Sequence, residues 1–223
     1  MTKRTDIIVA LDVDSFAQAK QFVNKLYPSI KIFKVGAQLF TACGPKVVEF
    51  IRAKGAEVFL DLKFFDIPNT VAHAVRSAVR MEVKMLTLHI LGDEEMLQAA
   101  LVAAKDEAGR LKVKRPLLVG VTVLTSKETS SSDVLTLAKI GIDSGLDGVV
   151  CSAREARLLR QRIKRKFIIV TPGIRPKGAL VQDQKRTATA EEARRAGSNF
   201  LVVGRPILQA KDPLAVAKNL INR

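Results

Sequence analysis

Residues of the types that mark redox, metal or base-stacking sites are scarce in this chain. Its 223 residues include no tryptophan, one tyrosine, two cysteines and two histidines, and aromatic residues make up only 5%. Cys43 and Cys151 lack the spacing of a metal site, so we interpret both as reduced structural thiols. Hydrophobic residues make up 48% of the chain. Because so few of them are aromatic, the core must consist mostly of Val, Ile, Leu and Ala, as in buried parallel sheets.

Long hydrophobic segments are also missing. No stretch approaches the roughly 18 uninterrupted apolar residues that a membrane-spanning helix requires. The apolar run near the N-terminus, Ile7 to Leu11, is short and is followed at once by Asp12, which argues against a signal peptide. The sequence therefore predicts a cytoplasmic protein without a membrane partner.

Acidic residues are in the minority, since 37 Lys and Arg stand against 22 Asp and Glu and give a net charge of +15. A basic nucleic-acid-binding module is one interpretation of this charge. The densest basic run extends from Arg154 to Lys166 and contains no aromatic residue for base stacking. We therefore favour a solvated helix face, with Leu158, Leu159 and Ile163 turned inward, and predict no nucleic-acid partner.

Short apolar runs recur along the chain at intervals of roughly 20 to 30 residues, with helically spaced apolar residues between them. The eight runs are Asp6–Asp12, Ile30–Gly36, Glu57–Lys63, Met85–His89, Leu117–Val123, Gly148–Ser152, Phe167–Thr171 and Phe200–Gly204. This alternation predicts an α/β fold in which residues 1–223 form a single (β/α)8 TIM barrel of parallel strands. A doubly wound open sheet is the alternative, but no G-x-G-x-x-G motif follows the first run.

Several of these runs end in charged residues, and the active site of a barrel lies at the C-terminal ends of its strands. Side chains two apart on a strand share a face, so Asp61 and Lys63 point the same way. By the same alternation Lys34 and Asp12 face the interior from the first two strands. We expect these four side chains to converge at the mouth and to serve chemistry rather than an ion-pair lattice.

Two glycine–arginine turns follow the seventh and eighth runs, which are the positions where this fold often binds phosphate. Arg175 and Arg205 can offer forked donors to an anion, and the neighbouring glycines let backbone N–H groups approach it. The longest polar connection, Gly173 to Thr189, follows the seventh run and is typical of a functional loop.

Together these residues resemble the orotidine 5′-phosphate decarboxylase family. The stretch Asp61-Leu62-Lys63-Phe64-Phe65-Asp66-Ile67-Pro68-Asn69-Thr70 is similar to the family's D-x-K-x-x-D-I-P-N-T signature, which is highly specific. Further segments, before and after this stretch, are similar to segments of the family and occur in the same order. They are Ala10-Leu11-Asp12, Phe33-Lys34-Val35-Gly36, Val121 to Ser126, Val150 to Ala153, Thr171 to Pro176, Asp183-Gln184 and Val203-Gly204-Arg205-Pro206.

The resemblance implies a role for each matching residue. Lys63 is implied as the proton donor in a charged network with Lys34 and Asp61, completed by Asp66 from the other subunit of a homodimer. The implied substrate, orotidine 5′-monophosphate, is decarboxylated to UMP in pyrimidine biosynthesis without a metal or cofactor. Its other implied contacts are Asp12 and Lys34 to the ribose, Ile67 and Thr70 from the partner, Thr125 near the pyrimidine, and Arg175, Gln184, Gly204 and Arg205 to the phosphate.

One departure and one rival qualify the resemblance. His89 is followed by the bulky Ile90, where the family usually has a small residue, so we expect different packing behind the pyrimidine and no catalytic role for His89. A metal-dependent sugar-acid phosphate decarboxylase of the same superfamily is the nearest alternative. The residues from Ile67 to Thr70 and the pair Asp183-Gln184 argue against it.

Overall fold

Eight parallel strands form a closed barrel in the computed structural model, which describes residues 5–123, 130–176 and 187–222. Each strand pairs with the next along the chain, and the first also pairs with the eighth through residues such as Ile8 and Val202. The predicted (β/α)8 barrel is therefore confirmed, and the open-sheet alternative is wrong because the sheet has no edge.

The elements alternate as the sequence pattern predicts. The strands are β1 Asp6–Ala10, β2 Ile32–Gly36, β3 Glu57–Phe64, β4 Met85–His89, β5 Leu117–Val121, β6 Gly148–Val150, β7 Ile168–Thr171 and β8 Phe200–Val203. The helices are α1 Phe16–Leu26, α2 Ala37–Cys43, α3 Lys46–Ala53, α4 Pro68–Arg80, α5 Asp93–Leu111, α6 Ser131–Asp143, α7 Ala153–Arg162, α8 Ala190–Arg195, α9 Arg205–Leu208 and α10 Pro213–Asn222. A 3-10 turn, Ile90–Gly92, precedes α5.

Most strands are shorter than the apolar runs that predicted them. β1 ends at Ala10 rather than Asp12, and β8 ends at Val203 rather than Gly204. A run of hydrophobic residues shows how far the chain is buried, whereas a strand ends where its backbone pairing with the neighbouring strands ends. Asp12 and Gly204 therefore lie just beyond the ladder, at the mouth of the barrel.

Two separate apolar clusters follow from the alternation of side chains along the strands. The larger cluster fills the layer between the sheet and the helices and includes Phe33, Val35 and Leu60, as expected for outward-facing positions. The smaller cluster fills the barrel interior. Its buried members are Ile8, Ala10, Ile32, Phe59, Met85, Val119, Val170, Phe200 and Val202.

Local capping starts several helices close to the mouth. Glu155 accepts a hydrogen bond from the Ser152 backbone at the start of α7 (2.8 Å), and Thr189 and Glu192 make the reciprocal pair at α8. These bonds satisfy amide groups that a helix leaves unpaired in its first turn. Pro68 begins α4, where the missing N–H costs nothing. These residues therefore fix where α4, α7 and α8 begin.

The basic run lies on α7 and the loop after it. Leu159 and Ile163 are buried and Leu158 is half-buried, while Arg154 and Arg157 are exposed, so the prediction of a solvated helix face is confirmed. Across the described ranges, no helix combines the length and apolar character needed to cross a membrane.

Candidate active site

A cavity of about 230 Å³ opens at the C-terminal ends of the strands. Apolar side chains from the barrel interior form its floor, namely Phe59, Val121, Val150, Val170 and Val202. Charged side chains form its rim, namely Asp12, Lys34, Asp61, Lys63, Arg175 and Arg205. With Gly204, which also lines it, the cavity brings together seven of the residues singled out from the sequence, around an apolar end and a charged end.

Four of these charges form a chain of alternating sign across three adjacent strands. Lys34 Nζ lies 3.0 Å from Asp12 Oδ1 and 3.5 Å from Asp61 Oδ2, and Lys63 Nζ lies 2.9 Å from Asp61 Oδ1. The side chains of Lys34 and Asp61 are only 12% and 13% exposed, whereas that of Lys63 is 37% exposed. Asp61 therefore holds both ammonium groups, and the Lys63 ammonium is the one that solvent or a ligand can reach.

The pairing keeps the inner members of this chain charged. Burial by itself would lower the pKa of Lys34, but the charges of Asp61 and Asp12 outweigh it and the pKa is raised. Burial would likewise raise the pKa of Asp61, yet Lys34 and Lys63 together lower it. At neutral pH Lys34 is therefore an ammonium and Asp61 a carboxylate.

The end of β3 departs from simple strand alternation. Leu60 pairs with Leu86 and Phe64 pairs with Leu88, so β3 carries two extra residues against β4 in this interval. Lys63 lies within it in the left-handed region, with φ of 50°. Its ammonium still reaches Asp61, as predicted, but through an irregular backbone rather than the expected regular strand.

The turns after β7 and β8 bring Arg175 and Arg205 to the same rim. A Cβ added to Gly204 would lie 3.2 Å from Asp12 Oδ2, so a glycine lets the β8 turn pass close to the charged chain. Ile174 pairs with Ala188 in an isolated bridge, and the Arg175 amide donates to the Ala188 carbonyl (2.9 Å). The segments before residue 177 and after residue 186 are therefore hydrogen-bonded to each other beside the cavity.

Other predicted site residues do not line this cavity. Asp66 and Ile67 are exposed in the loop between β3 and α4, and Thr70 is exposed on the first turn of α4. The Asp66 carboxylate accepts a hydrogen bond from the Ile67 amide (2.7 Å). Thr125 and Gln184 lie outside the described residues, as does the central part of the connection from Gly173 to Thr189.

Comparison with known proteins identifies the family. The sequence profile described as "Orotidine 5′-phosphate decarboxylase / HUMPS family" matches residues 5–220. The chain belongs to this family. Orotidine 5′-phosphate decarboxylases of Moorella thermoacetica and Hydrogenovibrio crunogenus are 44% and 48% identical to it, over 98% and 96% of this chain and 91% and 93% of theirs. The crystal structure of orotidine 5′-phosphate decarboxylase from Lactobacillus acidophilus superposes with a TM-score of 0.85 at 35% identity, over 98% of each chain.

Membership of the orotidine 5′-phosphate decarboxylase / HUMPS family confirms the resemblance stated from the sequence motifs. Sequence reasoning nevertheless missed Thr87, a buried threonine inside the barrel whose hydroxyl contacts Asp61. Part of the signal was available, because Thr87 alternates with Met85 and His89 along β4 and puts a hydroxyl between two leucines, but its hydrogen-bond partners lie on another strand.

The departure at Ile90 has a different consequence from the one expected. Ile90 does not line the cavity but belongs to the outer cluster. Its Cδ1 atom would lie 2.6 Å from a Cβ added to Gly120 and 2.8 Å from one added to Gly141. The bulky side chain therefore fills space between β5 and α6 that two glycines leave open, away from any ligand in the barrel.

Proposed function

We propose that this protein is an orotidine 5′-phosphate decarboxylase, which converts orotidine 5′-monophosphate to UMP and CO2 in pyrimidine biosynthesis. One observation carries the proposal. In a chain 44–48% identical to decarboxylases of that name, a lysine ammonium is held at 2.9 Å by an aspartate whose side chain is only 13% exposed, above an apolar cavity floor. The proposal takes residues 1–223 as one barrel domain acting in the cytoplasm without a metal or organic cofactor.

The chemistry demands a cation beside the reacting carbon. When the bond between C6 and the carboxylate breaks, CO2 leaves and the electron pair stays in an sp2 orbital that the ring cannot delocalise. The Lys63 ammonium stabilises this carbanion and then transfers a proton from Nζ to C6. At a distance of about 4 Å and an effective dielectric constant of about 20, one such charge contributes about 4 kcal/mol.

The carboxylates hold the two lysines at the site. Burial alone would lower the pKa of Lys34, but Asp61 and Asp12 raise it, and Asp61 Oδ1 lies 2.9 Å from Lys63 Nζ. If the carboxylate of the substrate lies next to Asp61, repulsion between the two negative charges would also destabilise the bound ground state. We rank that effect below stabilisation of the carbanion, because the ion pairs already account for the presence of Asp61.

The remaining rim residues fit the sugar and phosphate of the substrate. Asp12 and Lys34 would contact the ribose, and Arg175, Gly204 and Arg205 would hold the phosphate together with Gln184. Thr125 would lie near the pyrimidine. Support comes from Arg175 and Arg205, which both line the cavity beside the charged chain and whose guanidinium groups are forked donors suited to phosphate. The connection from Gly173 to Thr189 would close over the phosphate, so that binding energy remote from C6 helps to assemble the site.

A homodimer would complete the charged network. Asp66, Ile67 and Thr70 would reach the partner's site, with Asp66 extending the chain of charges. In the single chain these residues are exposed next to the barrel mouth, and Ile67 is 66% exposed although it is apolar. Phe65 and Leu91 are also exposed there, at 60% and 61%. A group of large exposed apolar residues is typical of a protein–protein interface.

The decisive experiment is a spectrophotometric assay with orotidine 5′-monophosphate in the presence and absence of EDTA. We expect UMP to form at the same rate in both. No UMP in either sample, together with EDTA-sensitive decarboxylation of a sugar-acid phosphate, would favour the metal-dependent alternative instead. Absence of activity together with salt-sensitive RNA binding would favour the nucleic-acid-binding alternative.

Replacement of Lys63 tests the proposed proton donor. We expect Lys63→Ala to fold normally and to lose decarboxylation by many powers of ten, because both charge stabilisation and protonation are lost. Lys139→Ala serves as the matched control, since Lys139 is exposed on α6, and it should keep full turnover. Near-normal turnover of Lys63→Ala would contradict the mechanism even if the wild-type protein were active.

A further inference from the structure

Thr87 is a buried polar residue at the centre of the barrel. It lies in the middle of β4, and its side chain shares a face with Met85, which belongs to the interior cluster. Only 1% of its surface is exposed. Valine would fill the same space in this apolar surrounding without a polar group. The hydroxyl therefore needs an explanation beyond packing.

The hydroxyl makes two hydrogen bonds whose directions are fixed by chemistry. The Lys63 backbone N–H can only donate, so Thr87 Oγ1 accepts from it at 2.8 Å. The ionised Asp61 carboxylate can only accept, so the single Thr87 hydrogen goes to Asp61 Oδ1 at 3.0 Å. Thr87 thus connects the backbone of one site residue to the side chain of another.

Both connections act where β3 is irregular. Lys63 adopts a left-handed conformation, which is unfavourable for a residue with a side chain, and lies in the interval where β3 and β4 lose their regular pairing. The Thr87 hydroxyl gives the Lys63 amide an acceptor at this point. It thereby supports the backbone conformation from which the Lys63 side chain starts.

The contact also orients Asp61. Oδ1 receives hydrogen bonds from Thr87 and from Lys63 Nζ, while Oδ2 faces Lys34 at 3.5 Å. Rotation of the carboxylate would break the bond to Thr87 and change the distances to both lysines together. A single neutral hydroxyl therefore constrains the two ends of the Asp61–Lys63 ion pair.

We propose that Thr87 is a positioning residue, which fixes the Asp61 carboxylate and the Lys63 backbone as one unit and so determines where the Lys63 ammonium stands. This inference rests on the proposed decarboxylase function for its kinetic consequence. It does not depend on that function for its structural consequence. The two can therefore be tested separately.

The kinetic test compares Thr87→Val with Thr87→Ser. Valine keeps the volume and removes both hydrogen bonds, so we expect kcat to fall about 10- to 100-fold, the cost of a misplaced reacting group, while KM changes little. Serine keeps the hydroxyl and should restore most of kcat. Thr122→Val is the matched control, because Thr122 is equally buried but its hydroxyl donates to the Val150 carbonyl, away from the ion pairs. It should keep the wild-type kcat.

The outcomes separate this inference from the function on which it rests. A Thr87→Val enzyme with wild-type kcat, or a Thr87→Ser enzyme as impaired as Thr87→Val, would overturn the positioning role. If Thr87→Val does not fold, Thr87→Ala takes its place in the same comparison. An inactive wild-type protein would refute the decarboxylase assignment instead.

A crystal structure of Thr87→Val provides a readout that needs no substrate. We expect the Lys63 backbone to leave the left-handed region or the contact between Asp61 Oδ1 and Lys63 Nζ to lengthen well beyond 2.9 Å. An unchanged conformation and ion pair would rule out positioning by Thr87 whatever the protein catalyses.

Discussion

The position of the Lys34 ammonium depends on a neighbouring residue, Gly36, that has no side chain. Gly36 lies two residues further along β2 and faces the same way, and a Cβ added to it would lie 2.9 Å from Lys34 Nζ. The Gly36 backbone has φ of −93°, which any residue can adopt. Its role is therefore to leave room for the ammonium between Asp12 and Asp61.

Gly36→Ala should lower the activity of the enzyme without lowering its stability. The added methyl would push the flexible end of Lys34 aside, so we expect kcat/KM to fall about 10- to 100-fold with little change in the melting temperature. The measurement is steady-state kinetics alongside thermal unfolding. Gly109→Ala is the control, because Gly109 is exposed on α5 with open space around it, and it should keep full activity and gain up to about 1 kcal/mol. Equal kinetics in both variants would contradict the steric argument.

Single residues differ in how well their positions could be predicted. Alternation along a strand was enough to place Lys34 and Asp61 inside the barrel, because Lys34 is regularly paired with β1 and Asp61 with β2. It could not give the left-handed backbone of Lys63, since that depends on the register between β3 and β4. The importance of Thr87 escaped for the same reason, because its two partners are defined only once the strands pair.

Among the elements, α7 contains one arginine that the solvated-face interpretation does not describe. Arg160 is half-buried, and its guanidinium donates to the Gly197 carbonyl (3.0 Å), the Phe167 carbonyl (2.9 Å) and Asn199 Oδ1. It also lies over the Phe167 ring, 4.4 Å from the centroid. Asn199 in turn accepts from the Ile169 amide, so Arg160 links α7 to the starts of β7 and β8.

Arg160→Lys should therefore destabilise the fold although it conserves charge. A lysine cannot supply the planar fork or stack in the same way, so we expect a loss of about 1.5–3 kcal/mol in the free energy of unfolding. Urea denaturation measures this loss. The exposed Arg157→Lys on the same helix should change stability by no more than about 0.5 kcal/mol. Similar midpoints for the two variants would be inconsistent with a bracing role for Arg160.

Elements were easier to predict than their ends or their contacts. Apolar periodicity located all eight strands because a parallel strand buried on both faces needs a continuous hydrophobic run. The same signal placed β2 two residues early, at Ile30, because Ile30 is buried without being paired in the sheet. Burial and pairing coincide within a strand but not at its boundary.

At the scale of the whole molecule, the proposed dimer can be tested by mixing inactive subunits. Lys63→Ala and Asp66→Ala each disable a site, but a mixed dimer would combine an intact Lys63 with an intact Asp66 in one of its two sites. Random exchange makes about half of the dimers mixed, so we expect about one quarter of wild-type activity at equal concentrations. Each variant alone should remain almost inactive.

Two controls make the mixing result specific. Size-exclusion chromatography should give a dimer for both variants, since neither substitution removes an exposed apolar residue. Combining Lys63→Ala with Asp61→Ala should restore nothing, because Asp61 and Lys63 are in contact within one chain and no mixed dimer repairs that site. Recovery in this second mixture, or none in the first, would refute the shared site.

The contact of Ile90 with Gly120 and Gly141 constrains how this corner of the barrel can diverge. The Ile90 side chain occupies the space between β5 and α6 that side chains at Gly120 and Gly141 would otherwise need. A smaller residue at position 90 therefore leaves a void, and a larger one at either glycine position causes a clash. A relative that carries alanine after its fourth-strand histidine should compensate with larger residues at the other two positions. Covariation among these three sites would then report packing of the outer layer, with no bearing on which nucleotide the barrel accepts.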